Sequence, residues 1–348
     1  EIKQAKVLII DEISMVTANL LDGVSSFFRK NRGIDKPFGG LPVIMVGDMF
    51  QLPPVVPSAL SPLFARHYGS AKFYNAKSLQ EGTYYAIELN RTYRQSDQHF
   101  VDLLTKIREG IDLEQCLLQL NNGCTITEHP EAGAVWLSPR NIDVIERNKS
   151  MMERLRGRTV NYNGGLKGQF PSDKLPSPYR LQLKQGCQVM FTRHDAAKRW
   201  SSGNIGVVHR LLKDKIFVEL ENSGRIVDVG RISWTNYQYD WDKRSGRIIR
   251  RPTGSYRQFP LVPGWAMTIH QSQGKTIEKV HVDLGRGSFE TGQTYVALSR
   301  CRSLSGLSIA RPLTVRDIHI DRESKFFYDD LRSIIDRLPP EKMIESLL

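Results

Sequence analysis

Two short apolar runs end in acids. Val7-Leu8-Ile9-Ile10 leads into Asp11-Glu12, and Val43-Ile44-Met45-Val46 leads into Gly47-Asp48. Continuous apolar runs of this length are expected of parallel strands buried on both faces. In open parallel sheets, ligands bind beyond the carboxyl ends of the strands. A carboxylate placed there can hold Mg²⁺ against phosphate oxygens, and an adjacent acid can activate a water. The structural alternative is that Asp11 caps the helix that follows.

These acids need a scaffold, and the first ninety residues read as α/β. Between the two runs, Met15, Leu20, Leu21, Val24, Phe27 and Phe28 recur at helical spacing and stop at Gly33. A third strand is expected over Tyr84–Leu89. From Asn90 the pattern turns helical, with Phe100, Leu103, Leu104 and Ile107 on one face and Gly110 as the stop. A strand over Ala134–Leu137 and a helix through Ile145 and Met152 to Gly157 follow. Residues 158–180, rich in Gly, Pro, Ser and Asn, read as a linker or long loop. Short strands at Gln188–Phe191, Ile205–Leu212, Ile216–Leu220 and Ile226–Trp234, parted by Gly, Asn and Asp turns, suggest a small β-barrel inserted into an α/β domain. After Gly264 the α/β pattern resumes: a helix-like stretch to Gln273, a strand Val280–Leu284, a helix Thr291–Arg300 and a strand Leu307–Ala310.

Composition narrows the class. The 348 residues are 40% hydrophobic and 25% charged, which excludes a disordered chain or a disulfide scaffold. No apolar run approaches the ~20 residues of a membrane helix, and the start lacks the pattern of a signal peptide. The four cysteines form no C-x-x-C pair, and the eight histidines are scattered singly. Reduced thiols in an intracellular protein, cytoplasmic if bacterial, are the expectation. The formal charge of +12 is spread along the chain and points to a nucleic-acid partner.

Motif spacing carries the argument further. Asp11-Glu12-Ile13-Ser14-Met15 is followed by Gly47-Asp48-Met49-Phe50-Gln51-Leu52-Pro53-Pro54-Val55. Downstream stand Leu89-Asn90-Arg91-Thr92-Tyr93-Arg94-Gln95, Thr268-Ile269-His270-Gln271-Ser272-Gln273-Gly274-Lys275-Thr276 and Gly292-Gln293-Thr294-Tyr295-Val296-Ala297-Leu298-Ser299-Arg300. In this order the chain resembles the superfamily 1B DNA helicases related to RecD, in particular the petite-integration-frequency branch. The resemblance implies tandem RecA-like (P-loop NTPase) domains with the ATP site between them and a small SH3-like β-barrel inserted in the second. The corresponding boundaries are 1–90 for the first domain, 91–190 and 263–348 for the second, and 191–262 for the barrel. By resemblance Asp11 holds Mg²⁺ directly or through water, Glu12 polarises the attacking water, and Gln51 senses the γ-phosphate. Arg94 and Arg300 act as arginine fingers, and Gly274 contributes to nucleotide binding.

Gly274-Lys275-Thr276 is not a Walker A loop, because the glycine required five residues earlier is Ile269. In Gly287–Thr294 the phosphate-binding Lys is replaced by Gln293. The first RecA-like domain is therefore expected to be incomplete here, with the Walker A loop upstream of Glu1 and this chain inactive alone. The implied partners are single-stranded DNA and duplex or forked DNA, with no membrane, and the implied movement is 5′ to 3′; the oligomeric state stays open, a monomer being the expectation. For the DNA contact the resemblance points to Phe50, Pro53, Thr268, His270 and Ser272. Residues 191–260 also hold 14 Lys plus Arg against 7 Asp plus Glu, interleaved with Trp200, Trp234, Tyr237, Tyr239, Trp241 and Tyr256. Basic grooves with interleaved aromatics suit single strands; the other reading is barrel core. Two further readings stay open: a RecD-type subunit of a nuclease or relaxase complex, and a single-stranded DNA-binding module without motor function.

Overall fold

Leu8–Ile10 (β1) and Val43–Met45 (β2) pair in parallel, with Ile9 opposite Ile44. The helix Ala18–Arg32 (α1) lies between them in sequence and closes on Gly33 in the left-handed conformation. One face of the pair is half-buried: Leu8, Ile10, Val43 and Met45 pack toward Ile13, Leu21, Phe38 and Phe73. The other face is not, since Ile9 is 62% and Ile44 50% exposed. Burial on both faces was expected, but among the described residues nothing covers that side.

The structure, a computed structural model, describes residues 2–221, 223–242 and 247–337. The chain divides into two units, residues 1–128 with 284–348, and residues 129–283. These boundaries differ from those expected at 90, 190 and 262. The first unit continues through α2 (Ser61–Tyr68), α3 (Lys77–Gln80), α4 (Gln98–Glu109), α5 (Leu113–Gly123) and β3 (Thr125–Ile126). Asp97 caps α4 by accepting from the Phe100 amide, and the apolar stripe Phe100, Leu103, Leu104 and Ile107 is buried as its spacing requires. Tyr84–Leu89 is not a strand. A strand is completed by its neighbour's hydrogen bonds, and this segment has no ladder among the described residues.

The second unit begins with β4 (Val135–Ser138), α6 (Asn141–Arg154), β5 (Val160–Asn163), β6 (Gly165–Gly168) and β7 (Arg180–Leu183). The stretch expected to be a linker therefore holds two strands, β5 paired with β7 and β6 paired farther on. Then come β8 (Gln188–Phe191), β9 (Ile205–Leu211), β10 (Ile216–Leu220), β11 (Ile226–Val229), β12 (Ile232–Asp242), β13 (Arg247–Gln258) and β14 (Leu261–Pro263). Five of these form an antiparallel sheet in the order β11-β10-β9-β8-β14. Its core includes Val189, Phe191, Val208, Val218, Val229 and Trp200. The single strand expected over Ile226–Trp234 breaks at Gly230, where β12 departs to pair with β13 and then β6.

The unit closes with β15 (Ala266–Thr268), α7 (Ile269–Ser272) and β16 (Val280–Val282). β15 and β16 flank β4 in parallel, so the stretch read as one helix to Gln273 is a strand and a single turn. His281 on β16 is fully buried and packs on Trp136, ring centroids 4.1 Å apart. Burial, reinforced by the Arg147 charge and opposed by Asp283, lowers its pKa to about 4. The unfolded chain therefore takes up this proton near pH 6.5 while the folded chain resists it. That stability is fully present above about pH 6.5 and is lost as pH falls toward 4, amounting to roughly 3 kcal/mol. Urea denaturation of His281→Phe and the parent between pH 7 and 4.5 checks this. The parent should lose stability relative to the variant, and parallel curves would show that His281 is not the titrating group.

The chain returns to the first unit through α8 (Gln293–Ser299), shorter than the helix expected over Thr291–Arg300, β17 (Leu307–Ile309) and α9 (Arg322–Arg337). β17 pairs in parallel with β3. Phe327 on α9 stacks on Tyr74 and meets Phe73 edge-on. Lys72 pairs with Asp321 and Glu323, and Arg332 with Glu88 and Glu109. The four cysteines are free thiols. Among the described residues no helix is long and apolar enough to cross a membrane.

Candidate functional site

Glu12 sits in the left-handed conformation (φ 50°, ψ 45°) directly after β1, which costs a non-glycine residue of order 1 kcal/mol. Its amide donates to Asp11 Oδ1 at 2.9 Å, so Asp11 binds its own neighbour's N–H. Asp11 does not cap α1, whose N-cap is Thr17. Both acids stand at the strand's carboxyl end, Asp11 exposed and Glu12 half-buried.

Two glycines bring the other segments close. A Cβ on Gly47 would lie 2.9 Å from Ile13 Cγ2, and the Ile13 amide donates to Val46 O at 3.0 Å. The residues after β2 are thereby laid beside Glu12. A Cβ on Gly292 (φ +72°) would lie 2.3 Å from Phe50 O and 2.7 Å from Gln51 O. Only glycine lets the start of α8 approach that loop so closely.

Arg300 follows α8 and is fully buried. Its Nε donates to Val296 O at 2.9 Å, and Nη2 donates to Ser299 Oγ at 2.8 Å and to Gln51 Oε1 at 3.5 Å. Its Nη1 is buried with no hydrogen-bond partner among the described residues. Arg94 lies close by, with Nη1 donating to Ser299 O at 3.4 Å, and Gln95 donates to Ser299 O and Cys301 O. Burial and then the Arg94 charge pull the Arg300 pKa down to about 10, against Tyr295, Glu12 and Asp48. Two guanidiniums held together with an unsatisfied buried donor make a site for an anion.

Gln51 is held from its other end. Its Nε2 donates to Asp48 Oδ2 at 3.3 Å, leaving Oε1 to Arg300. Asp48 also accepts from the Phe50 amide (3.1 Å), Tyr295 hydroxyl (3.2 Å) and Tyr328 hydroxyl (3.4 Å), and pairs with Arg108 Nε at 3.4 Å. The Arg108 guanidinium lies 5.0 Å from the Phe50 ring centre and 5.2 Å from that of Tyr328, and those rings stack at 4.7 Å. Burial opposes the charge on Arg108, but Asp48 together with Tyr328 and Tyr295 outweighs it and holds its pKa above the ordinary value. Burial and Asp48 push the Tyr328 hydroxyl up to about 12. Asp48 was singled out in the sequence only as an acid after a strand. Tyr295 and Tyr328 lie 247 and 280 residues away from it, and Arg108 reads as a helix surface residue, so no local signal joins them.

The structure thus brings Glu12, Gln51, Arg94 and Arg300 together, with Asp11 adjoining Glu12. Gly274 lies in the other unit, exposed, with φ +76°. Of the residues expected to touch DNA, Phe50 is 5% exposed and its ring is covered by Tyr328 and Arg108, leaving no face for a base. Pro53 is half-buried. Thr268 caps α7, exchanging hydrogen bonds with Gln271 at 3.2 Å each, and the buried Ser272 hydroxyl donates to Ile269 O at 2.7 Å. These two hydroxyls build the turn that presents the half-exposed His270 and exposed Gln271. Beside it a groove of about 780 Å³ is lined by Lys149, Arg180, Lys184, Gln271 and Lys275. Burial lowers the pKa of Lys275. Of the interleaved aromatics, Trp200 and Tyr256 are core, whereas Tyr237 and Tyr239 are exposed; the Trp241 side chain lies outside the described residues.

Residues 1–129 match the family model described as PIF1-like helicase. The chain is 33% identical over 348 residues to the human ATP-dependent DNA helicase PIF1, covering 93% of this chain and 49% of the human protein. It is 31% identical over 339 residues to the ATP-dependent DNA helicase Pif1 of Bdellovibrio bacteriovorus, covering 96% and 72%. Among solved structures it is similar to the Pif1 helicase from Bacteroides in complex with ADP-AlF3 and ssDNA, with TM-score 0.76 and 32% identity over 95% of this chain and 76% of that one. The chain spans about half the length of several curated relatives it matches. Its fold is the mixed α/β fold of tandem RecA-like domains, with parallel central strands. Motif order, fold and the extent of these matches together place the chain in the PIF1-like helicase family.

Proposed function

We propose that this chain is part of an ATP-dependent DNA helicase that moves 5′ to 3′ on single-stranded DNA and opens duplex or forked DNA. The observation that carries the reading is the buried Arg300, whose Nη1 lacks a hydrogen-bond partner among the described residues, beside Arg94 and tied to Gln51. A buried donor of this kind suits a phosphate oxygen such as those of ATP. When bound, ATP with Mg²⁺ supplies a phosphoryl group whose charge spreads in the transition state. Asp11 would hold the Mg²⁺, and Glu12 would accept a proton from water. Gln51, its amide oriented by Asp48, would sense the terminal phosphate, and Arg94 and Arg300 would neutralise charge. Gly274 would add a backbone contact. The 348 residues contain no Walker A loop, so this chain alone is not expected to turn over ATP.

In this reading single-stranded DNA lies against His270 and Pro53, with Thr268 and Ser272 shaping the turn. The domain divisions at 90, 190 and 262, with residues 191–262 as an inserted SH3-like barrel, and action as a monomer belong to the same proposal. The test is unwinding by the full-length protein of duplexes carrying a 5′ or a 3′ single-stranded tail. Strand separation with ATP on the 5′-tailed substrate alone is expected. Separation from the 3′ tail would overturn the polarity, and none on either would overturn the helicase assignment.

A further inference from the structure

The paired strands β12 and β13 are the longest in the described chain, 11 and 12 residues. Near its base the hairpin is supported, because β6 pairs with Gly254–Arg257 and Trp234 stacks on the buried Tyr256. Beyond a register shift after Asn236, the rungs from Tyr237 opposite Pro252 to Asp242 opposite Arg247 pair only with each other among the described residues. A two-stranded ribbon of this kind has no core of its own and is marginal in water.

One face of this ribbon carries Tyr237 and Tyr239, two residues apart and so on the same side. Arg250 sits opposite Tyr239 in register, yet its guanidinium lies 4.3 Å from the Tyr237 ring centre. Tyr237 is 37% and Tyr239 65% exposed, and no ring or cation contact to Tyr239 occurs among the described residues. Cross-strand packing accounts for Tyr237 with Arg250, but among the described residues it leaves Tyr239 with nothing to stack on. Residues 232–258 hold six Lys or Arg against two Asp, so the ribbon attracts polyanions.

We infer that the Tyr237–Arg250–Tyr239 face is a stacking platform for the bases of single-stranded nucleic acid, separate from the α7 turn and its groove. Exposed aromatic rings offer π-faces that any base can stack on, and neighbouring arginines meet the phosphates. A duplex hides those base faces, so the platform takes a single strand. The inference rests on the proposed nucleic-acid function and adds a second contact to it.

The probes are fluorescein-labelled oligothymidylate and a blunt duplex, titrated by anisotropy at several salt concentrations. Tyr239→Ala should weaken single-strand binding about tenfold, the loss of one base stack. Tyr239→Phe should keep the parent affinity, since the ring does the stacking. Arg250→Gln should flatten the slope of log affinity against log salt by about 0.7 for the lost phosphate contact. Gln238→Ala, on the opposite face, should change nothing. If the parent binds and Tyr239→Ala stays within twofold of it, or Tyr239→Phe falls with Tyr239→Ala, the platform is overturned while the function stands. If only duplex binding falls, the ribbon meets a double helix and the inference is wrong. If the parent binds no single strand at any salt concentration, the nucleic-acid reading fails as well.

Discussion

Glu12→Gln in the full-length protein is expected to lower DNA-stimulated ATP turnover by about 10²- to 10⁴-fold, the range for removing a general base. Nucleotide binding should hold. Glutamine has the same length and shape, so the left-handed turn at residue 12 and the Glu12 amide's bond to Asp11 Oδ1 can persist. What is lost is the capacity to take a proton, which an amide oxygen lacks at neutral pH. Arg94, Arg300 and Gln51 do not depend on that proton and should still bind phosphate oxygens. Steady-state hydrolysis together with equilibrium binding of a fluorescent nucleotide separates the two effects. Turnover within a few-fold of the parent would move the base elsewhere. Equal loss of binding and turnover would mean that Glu12 holds the nucleotide rather than activating water.

The placement of Asp11 and Glu12 was legible because an apolar run that ends in acids fixes where a parallel strand stops. Arg94 and Arg300 were legible only through motif resemblance, since an arginine alone carries no sign of burial. Exposure was harder to read. Ile9 and Ile44 follow the pattern of a strand buried on both sides, yet one side faces solvent because burial depends on what lies across the sheet. Tyr84–Leu89 has strand composition but no neighbour to pair with among the described residues, so it is not a strand. β13 was hidden for the opposite reason. Pro252 and Gly254 read as breakers, but Thr253 between them is the extra residue at the register shift opposite Asn236 and Tyr237. Proline is tolerated in a sheet at such an irregularity. The Asp48 network was invisible because its members are brought together from the loop after β2 and from α4, α8 and α9 only by folding.

That network sets the remaining large effect. Asp48→Ala should destabilise this chain by about 3 kcal/mol, near the lower end for breaking a buried ion pair. Asp48 and Arg108 keep 18% and 21% side-chain exposure, which is why the lower end applies. The cost lies less in the lost attraction than in what remains. The Arg108 guanidinium would stay beside the stacked Phe50 and Tyr328 rings without its counter-charge, and the Tyr295 and Tyr328 hydroxyls would lose their carboxylate acceptor. Gln51 would lose the partner that orients its amide toward Arg300. Urea denaturation of the parent, Asp48→Ala, Arg108→Met and the double variant measures this. If the penalty is the stranded charge, the double variant should be more stable than the sum of the single losses implies, by about 1 kcal/mol or more. Additive losses would mean that Asp48 acts through the tyrosines and Gln51 instead. A loss below about 0.5 kcal/mol for Asp48→Ala, the usual size of a surface substitution, would show that the network contributes no stability.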